Sequence, residues 1–230
     1  PRAVGDGVAL RFRKLRARSW HADGLPGGHP EKYGAHSDFA RIDKFEQPGF
    51  LAAWRDAVAF LGLPSPARVL SLGCHTGAEL AALAGDAGPG AHLLGVDHST
   101  SAIAEATRRH PAPPFEFRAH DLAAGLPAGR FDLVIAINVL HSPALDGRGL
   151  FRAVVQDALA PGGRVLLGFP NARYRDHRLR VGARPKHAQG PELSQLLGDV
   201  MYHRRYLHQH RFRTLATGTS TVLLAGRRLS

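Results

Sequence analysis

Cysteine is almost missing from this 230-residue chain: Cys74 stands alone. No disulfide can form within the chain, and no cysteine-rich metal site can be built. Missing too is any apolar run near the ~18 residues that span a bilayer. The basic stretch Arg11-Phe12-Arg13-Lys14-Leu15-Arg16 has no apolar segment behind it of the kind a secretory leader carries. These absences lead to the expectation of a cytoplasmic protein with no membrane partner. Acidic residues are also scarce, 19 Asp and Glu against 30 Lys and Arg, for a net charge of +11. Residues 1–18 hold six basic groups against Asp6, and residues 171–230 hold twelve against Asp176, Glu192 and Asp199. That leaves 19–170 at a net −3, a mildly acidic centre between two basic ends. Such an asymmetry points to an anionic substrate, nucleic acid included. An arginine-rich composition that merely keeps the chain soluble accounts for the same numbers. His203, His208 and His210 are not paired with a carboxylate at the helical spacing a zinc site needs, so no metal is expected.

What is present is one strong local pattern. Arg68-Val69-Leu70-Ser71-Leu72 reads as a buried strand, Gly73 to Gly77 as a tight loop, and Ala78 to Leu83 as the start of a helix. Glycines there bring backbone N–H groups and a helix N-terminus close to a ligand. Twenty residues after Gly77, the apolar run Ala91–Val96 ends in Asp97, at the tip of the next strand, where a carboxylate accepts from the hydroxyls of a ribose. The nicotinamide fingerprint would place glycines at 73, 75 and 78, but 75 is His and 78 is Ala.

Further segments follow in order: Phe115-Glu116-Phe117-Arg118-Ala119-His120-Asp121-Leu122, then Phe131–Asn138 leading into Val139-Leu140-His141, then Leu159-Ala160-Pro161-Gly162-Gly163 turning into Arg164–Phe169. A helix is expected from Pro48, with Phe50, Leu51, Trp54, Val58 and Leu61 on one face. Ser99 reads as the N-cap of a helix reaching Arg109. Helices are also expected over 147–159 and 191–208, and two antiparallel strands over 211–217 and 221–227. The series resembles the class I S-adenosylmethionine-dependent methyltransferases over roughly residues 50–230. It departs from them at Ser71, where the family has an acid, and at His75, where it has a glycine.

The resemblance implies a doubly wound, mostly parallel seven-stranded sheet with a C-terminal antiparallel hairpin, and S-adenosyl-L-methionine as cofactor. It divides the chain into a basic N-terminal segment and cap (1–47) and the cofactor-binding domain (48–230), with a basic substrate-side loop at 170–189. By motif, Gly73, His75 and Gly77 line the cofactor, Asp97 holds the ribose and His98 lies beside the adenine. Asp121 accepts from the adenine amino group, although its place before Gly125-Leu126-Pro127 also suits a turn cap. Leu122 packs on the ring, and Asn138 lies near the methionine portion.

On the acceptor side, His141 follows the fourth strand by three residues and is the candidate base, with a turn-capping histidine as the plain alternative. Arg173, Arg175 and Arg178, with Arg180, Arg184 and Lys186, give the loop after strand five six cations against Asp176, suited to a phosphate or carboxylate. Tyr33 and His36 are expected to close the opposite side, by analogy with capped members of the family. The reading favours methyl transfer to an oxygen or nitrogen of a small, anionic molecule. RNA as acceptor, and a degenerate non-catalytic binding module, remain the alternatives; oligomeric state is not legible.

Overall fold

The computed structural model describes residues 2–4, 7–9, 31, 34, 35, 37, 42–142, 144–182 and 192–229, with backbone alone for residues 2–9 and for Arg175. Tyr33 and His36 lie outside these residues, so the expected cap contacts from them are not described. The N-terminal segment contains a short antiparallel pair, β1 (Arg2–Val4) and β2 (Gly7–Ala9).

From residue 48 the chain alternates helix and strand. Helix α1 (Pro48–Leu61) starts on a proline, whose missing N–H costs nothing in a first turn, and ends at Gly62 in the left-handed conformation. Its apolar spacing buries Phe50, Ala53, Trp54, Ala57, Val58 and Leu61. Strand β3 (Arg68–Leu72), helix α2 (Ala78–Ala87), strand β4 (His92–Asp97) and helix α3 (Thr100–Arg109) follow. After them come β5 (Phe115–Ala119), β6 (Phe131–Ile137), α4 (Gly147–Ala153) and β7 (Leu159–Pro170). A small hairpin, β8 (Arg173–Arg175) and β9 (Arg178–Val181), precedes α5 (Leu193–Gln209), and β10 (Phe212–Thr217) and β11 (Thr221–Arg228) close the series.

Seven strands form one sheet in the order β10-β11-β7-β6-β3-β4-β5. All neighbours are parallel except β11, which runs antiparallel to both β7 and β10. The central parallel strands β3, β4 and β6 are covered on both faces, which is why they read as largely apolar runs. Helices α1 and α2 pack over Val69, Leu93, Leu133 and Ile135. Helix α4, the turn after it and α5 pack over Leu70, Leu72, Val134, Ala136 and Leu167.

Two expectations are revised. The helix read over 147–159 is α-helical only to Ala153; Val154–Ala158 is a wider π turn and Leu159 already belongs to β7. Val154, Val155, Ala158 and Leu159 are all buried, and a widened turn keeps these near-consecutive residues against the sheet. The 170–189 segment, read as a loop, is a hairpin from Arg173 to Val181. On α5, Leu193 and Leu197 face solvent, while His203 is buried beside Leu196 and Leu207.

Candidate cofactor and acceptor site

Strand order changes direction between β3 and β6: the chain builds outward from β3 through β4 to β5, then returns to β6 on the other side. Loops leaving the carboxyl ends of β3 and β6 therefore part, and a crevice opens there. Its two lips carry left-handed residues: Gly73 (φ 63°), His75 (φ 49°) and Gly77 (φ 83°) on one, Asn138 (φ 59°) on the other. Gly73 is needed for more than its dihedral. A Cβ there would lie 2.6 Å from Val139 Cγ2, so the missing side chain lets the two lips touch.

Asp97 is the centre of the site's hydrogen bonding. Its side chain is buried at the end of β4, where Oδ2 accepts from His75 N at 2.9 Å and Oδ1 from Ser99 N at 2.9 Å. One carboxylate thus ties the glycine loop of β3 to the turn that opens α3. Each carboxylate oxygen has two acceptor positions, so two N–H bonds leave capacity for a pair of hydroxyls. His98 lies half-exposed with Nδ1 3.6 Å from Asp97 Oδ1. Ser71 is buried within β3, on the same face as Val69. Cys74 is buried beside Asp97 and Glu79. Loss of solvent, reinforced by these two carboxylates, raises its thiol well above the ordinary range, which removes it as a nucleophile.

Asp121 caps the 3₁₀ turn Leu122–Ala124, with Oδ1 accepting from Ala123 N at 2.9 Å, so the turn-cap reading of this residue is what the chain itself displays. Leu122 is partly buried against the α4–α5 side of the core. Asn138 N donates to Gly168 O at 2.9 Å, while its Oδ1 is buried with no hydrogen-bond partner among the described residues. His141 sits in the turn that Ser142 N closes onto Val139 O, with Nδ1 buried. Arg173 and Arg178 are exposed on the β8–β9 hairpin, which leaves the carboxyl end of β7 and so overhangs the same rim; the side chain of Arg175 is not described.

Two residues escaped the sequence reading. Ser99 was read only as a cap, yet its N–H also orients Asp97. Glu31 was not singled out, yet its carboxylate accepts from Ser99 Oγ, Thr100 Oγ1, and both Ser101 N and Ser101 Oγ. The available signal was the first turn of α3, which contains no acid of its own.

A sheet of this order, with its crevice at β3 and β6 and a carboxylate closing β4, is the architecture of class I S-adenosylmethionine-dependent methyltransferases. The chain belongs to the methyltransferase-domain family, whose model matches residues 44–216. It is 36% identical over 140 residues to trans-aconitate 2-methyltransferase of Methylobacterium nodulans, covering 58% of this chain and 51% of that protein. It is 31% identical over 108 residues to the probable thiol methyltransferase 2 of Arabidopsis thaliana, covering 45% and 46%. The chain thus spans about half the length of the curated relatives it matches. Among solved structures, a SAM-dependent methyltransferase from Aquifex aeolicus superposes with a TM-score of 0.58 at 15% identity, over 84% of this chain and 99% of that one. The cofactor of the family is S-adenosyl-L-methionine. The donor set fits it: a buried carboxylate with spare acceptor capacity, a left-handed loop, and the unmatched Oδ1 of Asn138.

Proposed function

We propose that this chain moves a methyl group from S-adenosyl-L-methionine to an oxygen of a small anionic acceptor, a carboxylate oxygen above all. The observation that carries the reading is the arginine hairpin at the end of β7, on the rim shared by Asp97 and Asn138. Support comes from the relative named for trans-aconitate, a small polycarboxylate. Asp97 holds the ribose hydroxyls, with His98 beside the adenine, Asp121 near its amino group and Leu122 on its ring. The backbone of Gly73, His75 and Gly77 lines the methionine half, and Asn138 offers an oxygen to its ammonium. When bound, the cofactor supplies a methyl carbon already activated by a positively charged sulfur.

The protein's part is then alignment, which supplies up to roughly 7–11 kcal/mol of barrier reduction. Arg173 and Arg178 draw the acceptor's charge to the rim. A carboxylate has no proton to lose, so His141 places the acceptor; an alcohol, amine or thiol would use its imidazole as the base.

The test is methyl transfer from labelled cofactor to a panel of di- and tricarboxylates, thiols and bulk tRNA. Base-labile label on a carboxylate, the behaviour of a methyl ester, is the expected result. Label on tRNA would replace this reading with RNA methylation. No cofactor binding by calorimetry at millimolar concentration would leave only a binding module.

A further inference from the structure

Helix α3 begins immediately after Asp97, and its opening turn, Thr100-Ser101-Ala102-Ile103, has no acidic side chain. The negative charge that a helix N-terminus favours comes instead from Glu31, about seventy residues away in sequence. Its Oε1 accepts from Ser99 Oγ at 3.1 Å, Ser101 N at 3.3 Å and Thr100 Oγ1 at 3.4 Å, while Oε2 accepts from Ser99 Oγ at 3.2 Å and from Ser101 Oγ. Ala35 N adds a bond to Ser101 Oγ at 3.0 Å. Gly34 packs into the same contact without room for a side chain: a Cβ would lie 2.2 Å from Glu31 Oε2 and 2.5 Å from Ser101 Oγ. Gly34 and Ala35 are therefore seated on this turn by shape, and Glu31 by charge.

The clamp leads directly to the ribose site. Ser99, which Glu31 grips through its hydroxyl, also accepts from Ala102 N at 3.1 Å and donates its own N–H to Asp97 Oδ1. With Ser99 fixed, one of the two N–H groups that aim the Asp97 carboxylate is fixed. The chain of contacts runs Glu31, Ser99, Asp97, His75, from the N-terminal segment to the glycine loop.

We infer that Glu31 is a positioning residue for cofactor binding, holding the Asp97–Ser101 turn in the conformation that presents Asp97 to the ribose. It touches no reacting atom. This deepens the functional reading and rests on Asp97 being the ribose ligand. Its signature is therefore a loss of cofactor affinity with the methyl-transfer step preserved.

The experiment measures S-adenosylhomocysteine affinity by calorimetry, with KM for the methyl donor and kcat, for wild type, Glu31→Ala, Glu31→Gln and Ser101→Ala, far below each variant's melting temperature. Glu31→Ala is expected to weaken binding about tenfold or more, with kcat at saturating donor within about twofold. Glu31→Gln retains an acceptor oxygen without the charge and is expected to fall in between. Ser101→Ala, which removes a hydroxyl partner from Glu31, is expected to follow the same direction and serves if Glu31→Ala does not fold. Affinities within twofold of wild type in the folded variants would overturn the inference, as would a fall in kcat at unchanged KM. Absence of binding by wild type itself would instead overturn the assignment of the ribose site.

Discussion

His203 shows what one buried titratable side chain does to this fold. Its ring lies 4.5 Å from Phe151 and 5.1 Å from Phe169, centroid to centroid, and Nδ1 lies 2.6 Å from Asp199 O. A carbonyl only accepts, so Nδ1 carries the proton and Nε2 is a buried acceptor with no hydrogen-bond partner among the described residues. Burial holds the pKa below the ordinary 6.5; nearby Arg148 adds to the depression and Asp199 opposes it. A depressed folded pKa means the native state favours the neutral ring. Its contribution is complete above pH 6.5 and is lost as pH falls through the folded value. His110 shifts in the same direction, again chiefly by burial. Urea unfolding is therefore expected to show lower stability at pH 5 than at pH 7, and His203→Leu is expected to flatten that difference in part. An unchanged pH dependence in the variant would show that His203 does not contribute.

The residue scale also shows where sequence reading stops. Asp97 was legible because an acid closing an apolar run next to a glycine loop has few other uses. Ser99 was legible as a cap because it precedes an alanine-containing helical pattern. Glu31 was not, because its partners lie about seventy positions away and nothing local marks a carboxylate as a distant helix cap. The left-handed conformation of Asn138 and His75 was equally hidden, since these residue types visit that region more often than most but adopt it only where the chain turns.

At the scale of elements, the β8–β9 hairpin is where the acceptor reading is tested. Sequence showed six cations in a long connection but not the pairing, because strands of three and four residues lack a periodicity long enough to read. Pairing matters for function, since a hairpin holds its arginines in a fixed pattern where a loop would scatter them. Arg173→Ala with Arg178→Ala is expected to raise KM for a polycarboxylate acceptor about tenfold, with cofactor affinity unchanged. Equal KM in the double variant would assign acceptor binding elsewhere. Helices α1, α3 and α5 lie within two residues of their expected starts, where proline or the capping serine fixed the first two. The helix before β7 was misread because an α-helix and a π turn share nearly the same apolar spacing, and only packing against the sheet distinguishes them.

For the whole molecule, the +11 charge acts at long range on any anionic acceptor. The screening length falls from about 10 Å at 0.1 M salt to about 3 Å at 1 M. KM for a polycarboxylate is therefore expected to rise several-fold across that range while kcat holds. A salt-independent KM would mean that only short-range contacts recruit the acceptor.

The placement of β11 carries a consequence for how the protein is made. This strand lies between β7 and β10, bonded along Thr221–Arg227 to one and across Phe212–Arg228 to the other. During synthesis β7 must wait with one edge bare until some fifty more residues have emerged. Until then the open edge of an apolar strand is a template on which another chain can pair.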